Sequence, residues 1–358
     1  MQPEQLNQLL RLGLQSGASD VHLKPGTPPA FRINGRLQYL QAEMLTAAAT
    51  RAIAFHLVAD PRTREVLDTL QEYDGAYSLA GQARFRVNLY RQRGSLSAIL
   101  RIIPGEVPSL EQLGLPPEVV PLANEERGLV LVTGASGSGK STTLAALVNH
   151  INHTRNAHIV SIEDPIEYLH RNVQSSISQR EIGLDTANYH VALRAALRQD
   201  PDVILVGEIR DSEAVEISLK ASETGHVVYS TIHTTDASKT IGRLISMFPS
   251  ADEASVRLRL ADNLRGTVSQ RLLPRADGLG RVVACEVMIV TKTVQQHIRD
   301  ADRTGMLKDV IEKGKGSGMQ SFDQHLIELF RAGFITFDTA VSAATNPSDF
   351  ERTLHFGG

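Results

Sequence analysis

An apolar run, Leu129 to Thr133, leads directly into Gly134-Ala135-Ser136-Gly137-Ser138-Gly139-Lys140-Ser141-Thr142 and then into a helix-forming segment. No other stretch limits the fold so tightly. Gly134, Gly139, Lys140 and Ser141 satisfy the spacing G-x-x-x-x-G-K-[ST] in full. The strand–loop–helix setting that gives this spacing its meaning is present as well. The glycines let backbone N–H groups turn inward around a phosphate chain. Lys140 supplies a cation to the β- and γ-phosphates, and the Ser141 hydroxyl can ligate Mg²⁺. An ordinary Gly/Ser turn would leave the full match unexplained. The segment predicts a parallel α/β sheet that binds a nucleoside triphosphate, with residues 134–142 as the phosphate cradle.

At 358 residues the chain is long enough for two domains with separate cores. Hydrophobic residues at 42% and charged residues at 22% describe a globular chain, not a disordered one. A net charge of -3 offers no general field for a polyanion. Cys285 is the single cysteine, which excludes an intrachain disulfide and a multi-cysteine zinc site. The start, Met1-Gln-Pro-Glu-Gln, lacks the basic-then-apolar pattern of a signal peptide. No apolar run approaches the roughly 18 residues that span a bilayer. A cytoplasmic protein is expected, touching membrane only through partners.

Residues 1–103 read as a small α/β domain. Leu6, Leu9, Leu10 and Leu14 fall on one helical face. Strands are expected at 21–23, 84–90 and 95–103, a hairpin around Asn34-Gly35, and a helix over 46–59. Residues 104–112 form a linker that begins Pro104-Gly-Glu-Val-Pro108. The remainder, 113–358, reads as the ATPase domain, mostly helical from about 290. Apolar, β-branched runs at 129–133, 158–162, 203–207 and 227–232 alternate with helical segments, which implies a parallel sheet with crossover helices. Lys313-Gly-Lys-Gly-Ser-Gly318 follows no strand and reads as a flexible loop.

Three strand ends carry chemistry. Val203-Ile-Leu-Val-Gly207 ends in Glu208, where an acid can hold Mg²⁺ directly or through water. Ile159-Val-Ser-Ile162 ends in Glu163-Asp-Pro-Ile-Glu167, and Glu163 is the candidate to activate or orient water. A solvated acidic turn is the plainer account of that cluster. Gly225-His226 and His233-Thr-Thr235 bracket the third strand. His233 can sense the γ-phosphate by hydrogen bonds, or be structural, as a lone strand-end histidine often is. On 84–101, Arg84 and Arg86 share the face opposite Phe85, Val87 and Leu89. If Arg93-Gly94 is a two-residue turn, Arg86 lies opposite Arg101, and like charges so placed destabilise the pair unless an anion joins them. Two readings stand level: phosphate-facing arginines, or a solvated basic edge that discourages sheet aggregation. Ala192 to Gln199 is a strong helix former with Arg194 and Arg198 on one face, stopped by Asp200-Pro201.

The order of these pieces resembles a known family. The series is GASDVHL at 17–23, RFRVNLYRQRG at 84–94, GASGSGKSTT at 134–143, IEDPIEY at 162–168, ALRAALRQDPDVILVGEIRD at 192–211 and GHVVYSTIHT at 225–234. MQSFDQHL at 319–326 and ATNPSDF at 344–350 extend it to the C-terminus. The chain is similar to the secretion/pilus ATPase superfamily, and within it to the PilT-type retraction ATPases of type IV pili. The resemblance implies a PAS-like N-terminal domain, a RecA-like ATPase domain with a helical C-terminal part, and a homohexameric ring. It implies ATP and Mg²⁺ as ligands. It also implies that Glu163 is the catalytic glutamate, Glu208 the atypical Walker B acid, and His226 and His233 the His-box. Arg86 and Arg101 would reach the phosphates. The implied partners are an inner-membrane pilus platform protein and, in some systems, a second retraction ATPase. The implied place is the inner face of the cytoplasmic membrane.

Departures are small. Gln199 stands where the family often has Glu, Leu193 where it often has Ile, and Ala135-Ser136 where Pro-Thr is common. Extension-type and type II secretion relatives usually carry four zinc cysteines and an extra N-terminal domain, so no zinc is expected here. The alternatives are an accessory, PilU-like retraction ATPase and a RecA-like nucleic-acid translocase. The charge balance and the lack of aromatic residues among basic ones speak against the second, so no nucleic acid is expected as a partner.

Overall fold

The computed structural model describes residues 2–33, 35–79 and 81–356. The chain separates into two compact units, Met1–Glu106 with Glu167–Leu169, and Val107–Ile166 with His170–Gly358.

The first unit contains α1 (Pro3–Gln15), β1 (Asp20–Leu23), β2 (Ala30–Ile33), β3 (Arg36–Tyr39), α2 (Ala47–Leu57), α3 (Pro61–Glu65), β4 (Glu72–Leu79), β5 (Ala83–Gln92) and β6 (Ser95–Ile103). Its six strands form an antiparallel sheet ordered β3-β2-β1-β6-β5-β4. Alternation explains the packing: Phe85, Val87 and Leu89 of β5 are fully buried while Arg86 between them is exposed. Leu6 and Leu10 of α1 and Ile53 and Leu57 of α2 close over that apolar face, with Leu9 and Leu14 partly buried beside them. Asn34 of the expected Asn34-Gly35 turn lies outside the described residues; β2 and β3 on either side pair as a hairpin. Arg93 and Gly94 form the two-residue loop between β5 and β6 at φ 47° and 78°, and Arg86 pairs with Arg101 as expected. Positive φ at both loop positions matches the right-handed twist of the flanking strands. β4 escaped the sequence reading because Asp74, Gly75 and Ser78 interrupt its apolar residues. Gly75 is explained by contact, since a Cβ there would come within 2.6 Å of the Tyr73 ring.

The second unit contains α4 (Val120–Ala123), β7 (Gly128–Gly134), α5 (Lys140–Thr154), β8 (His158–Glu163), β9 (Ser176–Glu181), α6 (Tyr189–Ala196), β10 (Val203–Val206) and α7 (Ser212–Glu223). It continues with β11 (Val227–Ile232), α8 (Ala237–Ser246), α9 (Glu253–Asn263), β12 (Leu264–Pro274), β13 (Arg281–Ile289), α10 (Lys292–Arg299), α11 (Leu307–Lys313), α12 (Phe322–Arg331), α13 (Phe337–Ala343) and α14 (Pro347–Phe356). The sheet runs β13-β12-β7-β11-β10-β8-β9, all parallel except β13. Each face has its own core. Leu131, Ile162, Ile204 and Leu219 lie in one, and Val130, Val132, Leu205 and Tyr229 in the other. Burial on both faces is why β7, β10 and β11 read as unbroken apolar runs. A third cluster packs Phe322, Leu326 and Leu329 of α12 against Leu273 and Ala284.

Three local features depart from the sequence reading. β9, β12 and β13 are strands that it did not place. The 192–199 helix ends at Ala196, so Arg198 lies in the turn beyond it and does not share a helical face with Arg194. Short-range bonds, Arg198 N–H to Ala195 and Gln199 N–H to Ala196, replace the helical ladder there, and Asp200 takes φ 53° before Pro201. The 313–318 stretch is a short 3₁₀ turn, Lys315–Ser317, ended by Gly318 at φ 76°, where an open loop was expected.

Candidate nucleotide site

Parallel strands deliver their C-terminal ends to one edge of the sheet, where ligands of open α/β sheets collect. Here that edge presents, in spatial order, Gly134 after β7, His233 after β11, Glu208 after β10 and Glu163 at the end of β8.

The loop after β7 is shaped by its glycines. Gly134, Gly137 and Gly139 take φ 146°, 75° and 94°, conformations that favour glycine. A Cβ on Gly134 would also come within 2.6 Å of the Gln270 carbonyl oxygen. Gly139 is the N-cap of α5, and no side chain caps that helix. The first-turn amides and the positive end of the helix dipole therefore face the loop, the arrangement that suits a phosphate. Lys140 is buried, and its Nζ donates to the carbonyl oxygens of Gly134 and Ala135 at 2.9 Å each. Burial lowers its pKa, and the Glu208 charge works against that shift. Ala135, Ser136 and Gly137 are exposed, Ser138 is buried, and Ser141 is exposed at the start of α5. Behind the loop, Gln270 Nε2 donates to Thr143 Oγ1 at 2.8 Å.

Glu208 is the hub of the edge. Its Oε2 accepts from Arg210 Nε at 2.9 Å, and its Oε1 lies 3.4 Å from His233 Nε2. The carbonyl of the preceding Gly207 accepts from Thr231 Oγ1 at 2.6 Å, which ties the end of β10 to β11. The two threonines after His233 serve α8. Thr234 Oγ1 and Thr240 Oγ1 are 2.6 Å apart, and Thr235 Oγ1 donates to the N-cap residue Asp236.

Glu163 stands one strand further out. Its Oε1 accepts from Ser161 Oγ at 2.7 Å and from Gln179 Nε2 of β9 at 3.2 Å. Lys140, Glu208 and His233 are thus brought together, with Glu163 beside them on the next strand. Sequence reasoning missed Ser161, Gln179 and Arg210. Ser161, two residues before Glu163, was the one legible from strand period alone.

Two expectations need correction. His226 precedes β11 at the edge where the strands begin, and its carbonyl accepts from Gly128 N–H. Six strand residues, Val227–Ile232, lie between it and His233, seven steps of about 3.3 Å or roughly 23 Å. Its Nδ1 lies 3.0 Å from the Ala221 carbonyl oxygen, so it does not join the phosphate site of its own unit. The like-charge conflict of Arg86 and Arg101 is also met without an external anion. Asp20 of β1 pairs with Arg101 of β6, and its Oδ1 accepts from Arg101 Nε at 2.9 Å. Arg32 of β2 flanks it at 3.8 Å. Burial alone would raise the Asp20 carboxyl, but hydrogen bonds from Ser19 and Arg101 outweigh it and hold the group below its ordinary value. Arg86 remains exposed at the end of this row.

The family described as type II/IV secretion system protein matches residues 2–305. The type IV pilus retraction ATPase PilT of Pseudomonas aeruginosa (strain PAO1) is 40% identical, over 96% of this chain and 99% of its own length. The type IV pilus ATPase PilU of the same strain is 37% identical, over 99% of this chain and 92% of its own. In three dimensions the chain is similar to the crystal structure of the pilus retraction motor PilT with bound ADP. The TM-score is 0.89 and the identity 40%, covering 97% of this chain and 99% of that one. This chain belongs to the type II/IV secretion system protein family, as a nucleotide-using ATPase of the PilT type.

Proposed function

We propose that this chain is the subunit of a homohexameric motor that hydrolyses ATP to retract a type IV pilus. The observation that carries this reading is the glycine-shaped loop with buried Lys140 at the same carboxyl edge of the sheet as the Glu208–His233 pair. In our reading the amides of 134–142 bind the phosphate chain, and Lys140 neutralises the β- and γ-oxygens. Ser141 and Glu208 hold Mg²⁺, which would supply charge neutralisation on the phosphates. His233 orients Glu208 and reports on the γ-phosphate. Glu163, steadied by Ser161 and Gln179, accepts a proton from water or orients it. Arg86 and Arg101 complete the charge stabilisation of the transition state.

No helix of the described residues is long and apolar enough to cross a membrane. On the likeness to the type IV pilus retraction ATPase PilT, the motor in this reading works at the inner face of the cytoplasmic membrane, coupled to the pilus through a platform protein. The two units serve as the N-terminal and ATPase domains, with the linker near 104–112. The comparable identity to PilU keeps an accessory retraction ATPase as the second reading.

A deletion strain tests both. Retraction predicts abundant surface pili without twitching. A strain without pili would reverse the direction of the motor. Normal pili and motility, restored to dependence on this chain only when a second retraction ATPase is weakened, would favour the accessory role.

A further inference from the structure

Gln179 of β9 touches Glu163 and, at the same time, the chain that follows Glu163. Its Nε2 donates to Glu163 Oε1 at 3.2 Å, and its own Oε1 accepts from His170 N–H at 2.9 Å. Together these contacts fix which way the amide points. Turned over, it would set its NH2 against the His170 N–H and its oxygen against a carboxylate, and both pairs repel. The nitrogen is therefore the atom that Gln179 must show to Glu163. Two residues along β9, on the same face, the buried Glu181 accepts from Ile166 N–H at 3.1 Å. Side chains of β9 thus fasten the backbone at 166 and again at 170. Asn152, buried near the end of α5, holds the next stretch. Its Nδ2 donates to the Arg171 carbonyl oxygen at 2.7 Å, and its Oδ1 accepts from Val173 N–H at 3.1 Å.

The edge of the sheet around Glu163 is rich in acids. Asp164 is next to it in the chain, and Glu181 is its register partner on β9. Glu208 follows β10 with Arg210 as its counter-ion. From α6 the phenol of Tyr189 stands near Gly207, and burial pushes its pKa up. Like charges disfavour the ionised form of a carboxyl, whereas hydrogen-bond donors favour it. Ser161 Oγ and Gln179 Nε2 supply such donors to Glu163. A hydroxyl can rotate away, but an amide locked by a backbone N–H cannot.

Resting on the assignment of Glu163 above, we infer that Gln179 is a positioning residue for hydrolysis: clamped by the backbone of His170, its amide holds the Glu163 carboxylate in place and in its ionised form. It acts on the chemical step through Glu163 and not on nucleotide affinity.

Steady-state ATPase assays on the full chain, read as kcat–pH profiles, test this. Gln179→Glu keeps the shape, and one of its oxygens can still accept from His170 N–H. The other sets a negative acceptor where Glu163 had a donor. We expect kcat at the optimum pH to fall about tenfold, the scale of one hydrogen bond to a charged group, with KM for ATP within about twofold. The acidic limb of the profile should move up by about one pH unit, because a like charge now stands where a donor stood. In a Glu163→Gln background the same change should cost nothing further of the residual rate, since the two act as one unit. Should Gln179→Glu not fold, Gln179→Met withdraws the donor without adding charge and should give the loss of kcat with a smaller shift in the same direction. Wild-type kcat in Gln179→Glu, a loss with an unshifted acidic limb, or a loss that persists in the Glu163→Gln background would overturn the inference. If Glu163→Gln itself turns over normally, the fault lies with the assignment of Glu163. If Glu163→Gln is slowed while Gln179→Glu is normal, only the positioning role fails.

Discussion

Lys140 and Glu163 separate binding from chemistry. Lys140 is buried against its own loop, with two carbonyl oxygens as partners and the Glu208 charge nearby. Phosphate oxygens are stronger acceptors than carbonyls, so an entering nucleotide takes over the ammonium. Lys140→Ala should abolish hydrolysis and weaken ATP binding, as measured by turnover and by nucleotide titration. Glu163 has Ser161 and Gln179 among its partners, whereas the charge acting on Lys140 is that of Glu208. Glu163→Gln should bind ATP near normally while hydrolysing at least about 100-fold more slowly, the usual scale for an acid–base group. Normal turnover in either variant would remove the role given to that residue. The loop and both glutamates were legible because each sits directly after an apolar run. Gln179 was not, because only the parallel pairing of β8 with β9 sets it beside Glu163. His226 misled for the converse reason. The sequence set it at the start of β11, and only the resemblance to the family's His-box series put it with the phosphates.

At the scale of elements, β7, β10 and β11 were legible as unbroken apolar runs and β5 as an alternating one, whereas interspersed polar residues obscured β9 and β12. β12 carries Arg265, Gly266, Gln270 and Arg271 among its apolar residues, and Arg271 is spent on the Phe322 ring, 4.0 Å away. Its partner β13 turns Ala284 toward α12 and Val283, Cys285 and Val287 into the sheet's other core. In the first unit the register of β5 with β6 was legible from the Arg93-Gly94 turn, but the relief of its charge conflict was not, since Asp20 is far away in sequence. Because the folded Asp20 carboxyl lies below its ordinary value of 3.8, its stabilisation is present above that pH. It is lost as pH falls through the lower, folded value. Asp20→Asn should cost about 1–2 kcal/mol at pH 7, the worth of a hydrogen bond to a charged group, and the gap from wild type should narrow near pH 3. Urea midpoints at the two pH values measure this, and an equal gap at both would remove the role of the charge. The turn itself holds a residual strain, with Arg93 at φ 47°. Asn tolerates that region better, so Arg93→Asn should recover about 1 kcal/mol. Amide exchange across 83–103 should then slow about fivefold, and unchanged exchange would mean that the turn is not strained.

For the whole molecule the role proposed for the arginines raises the question of which chain would supply them. Arg86 and Arg101 lie in the first unit and the phosphate loop in the second. Arg101 is already paired with a buried carboxylate, whereas Arg86 is exposed on the same row. We therefore expect Arg86 to be the more readily recruited of the two, and Arg86→Ala to lose hydrolysis without losing stability, as solvated arginines contribute little to folding. Whether it serves its own nucleotide or a neighbour's is decided by mixing Lys140→Ala subunits with Arg86→Ala subunits in one ring. If each chain completes its own site, every site in the mixture lacks one essential group and ATPase stays near zero at all ratios. If the arginine crosses to a neighbour, a Lys140→Ala subunit can lend its intact Arg86 to an Arg86→Ala subunit whose loop is intact. Activity would then rise to a maximum near equal proportions. We expect the first outcome, on the resemblance to two-domain subunits that close over a single nucleotide, and a peak on mixing would show that the catalytic unit is a pair of chains.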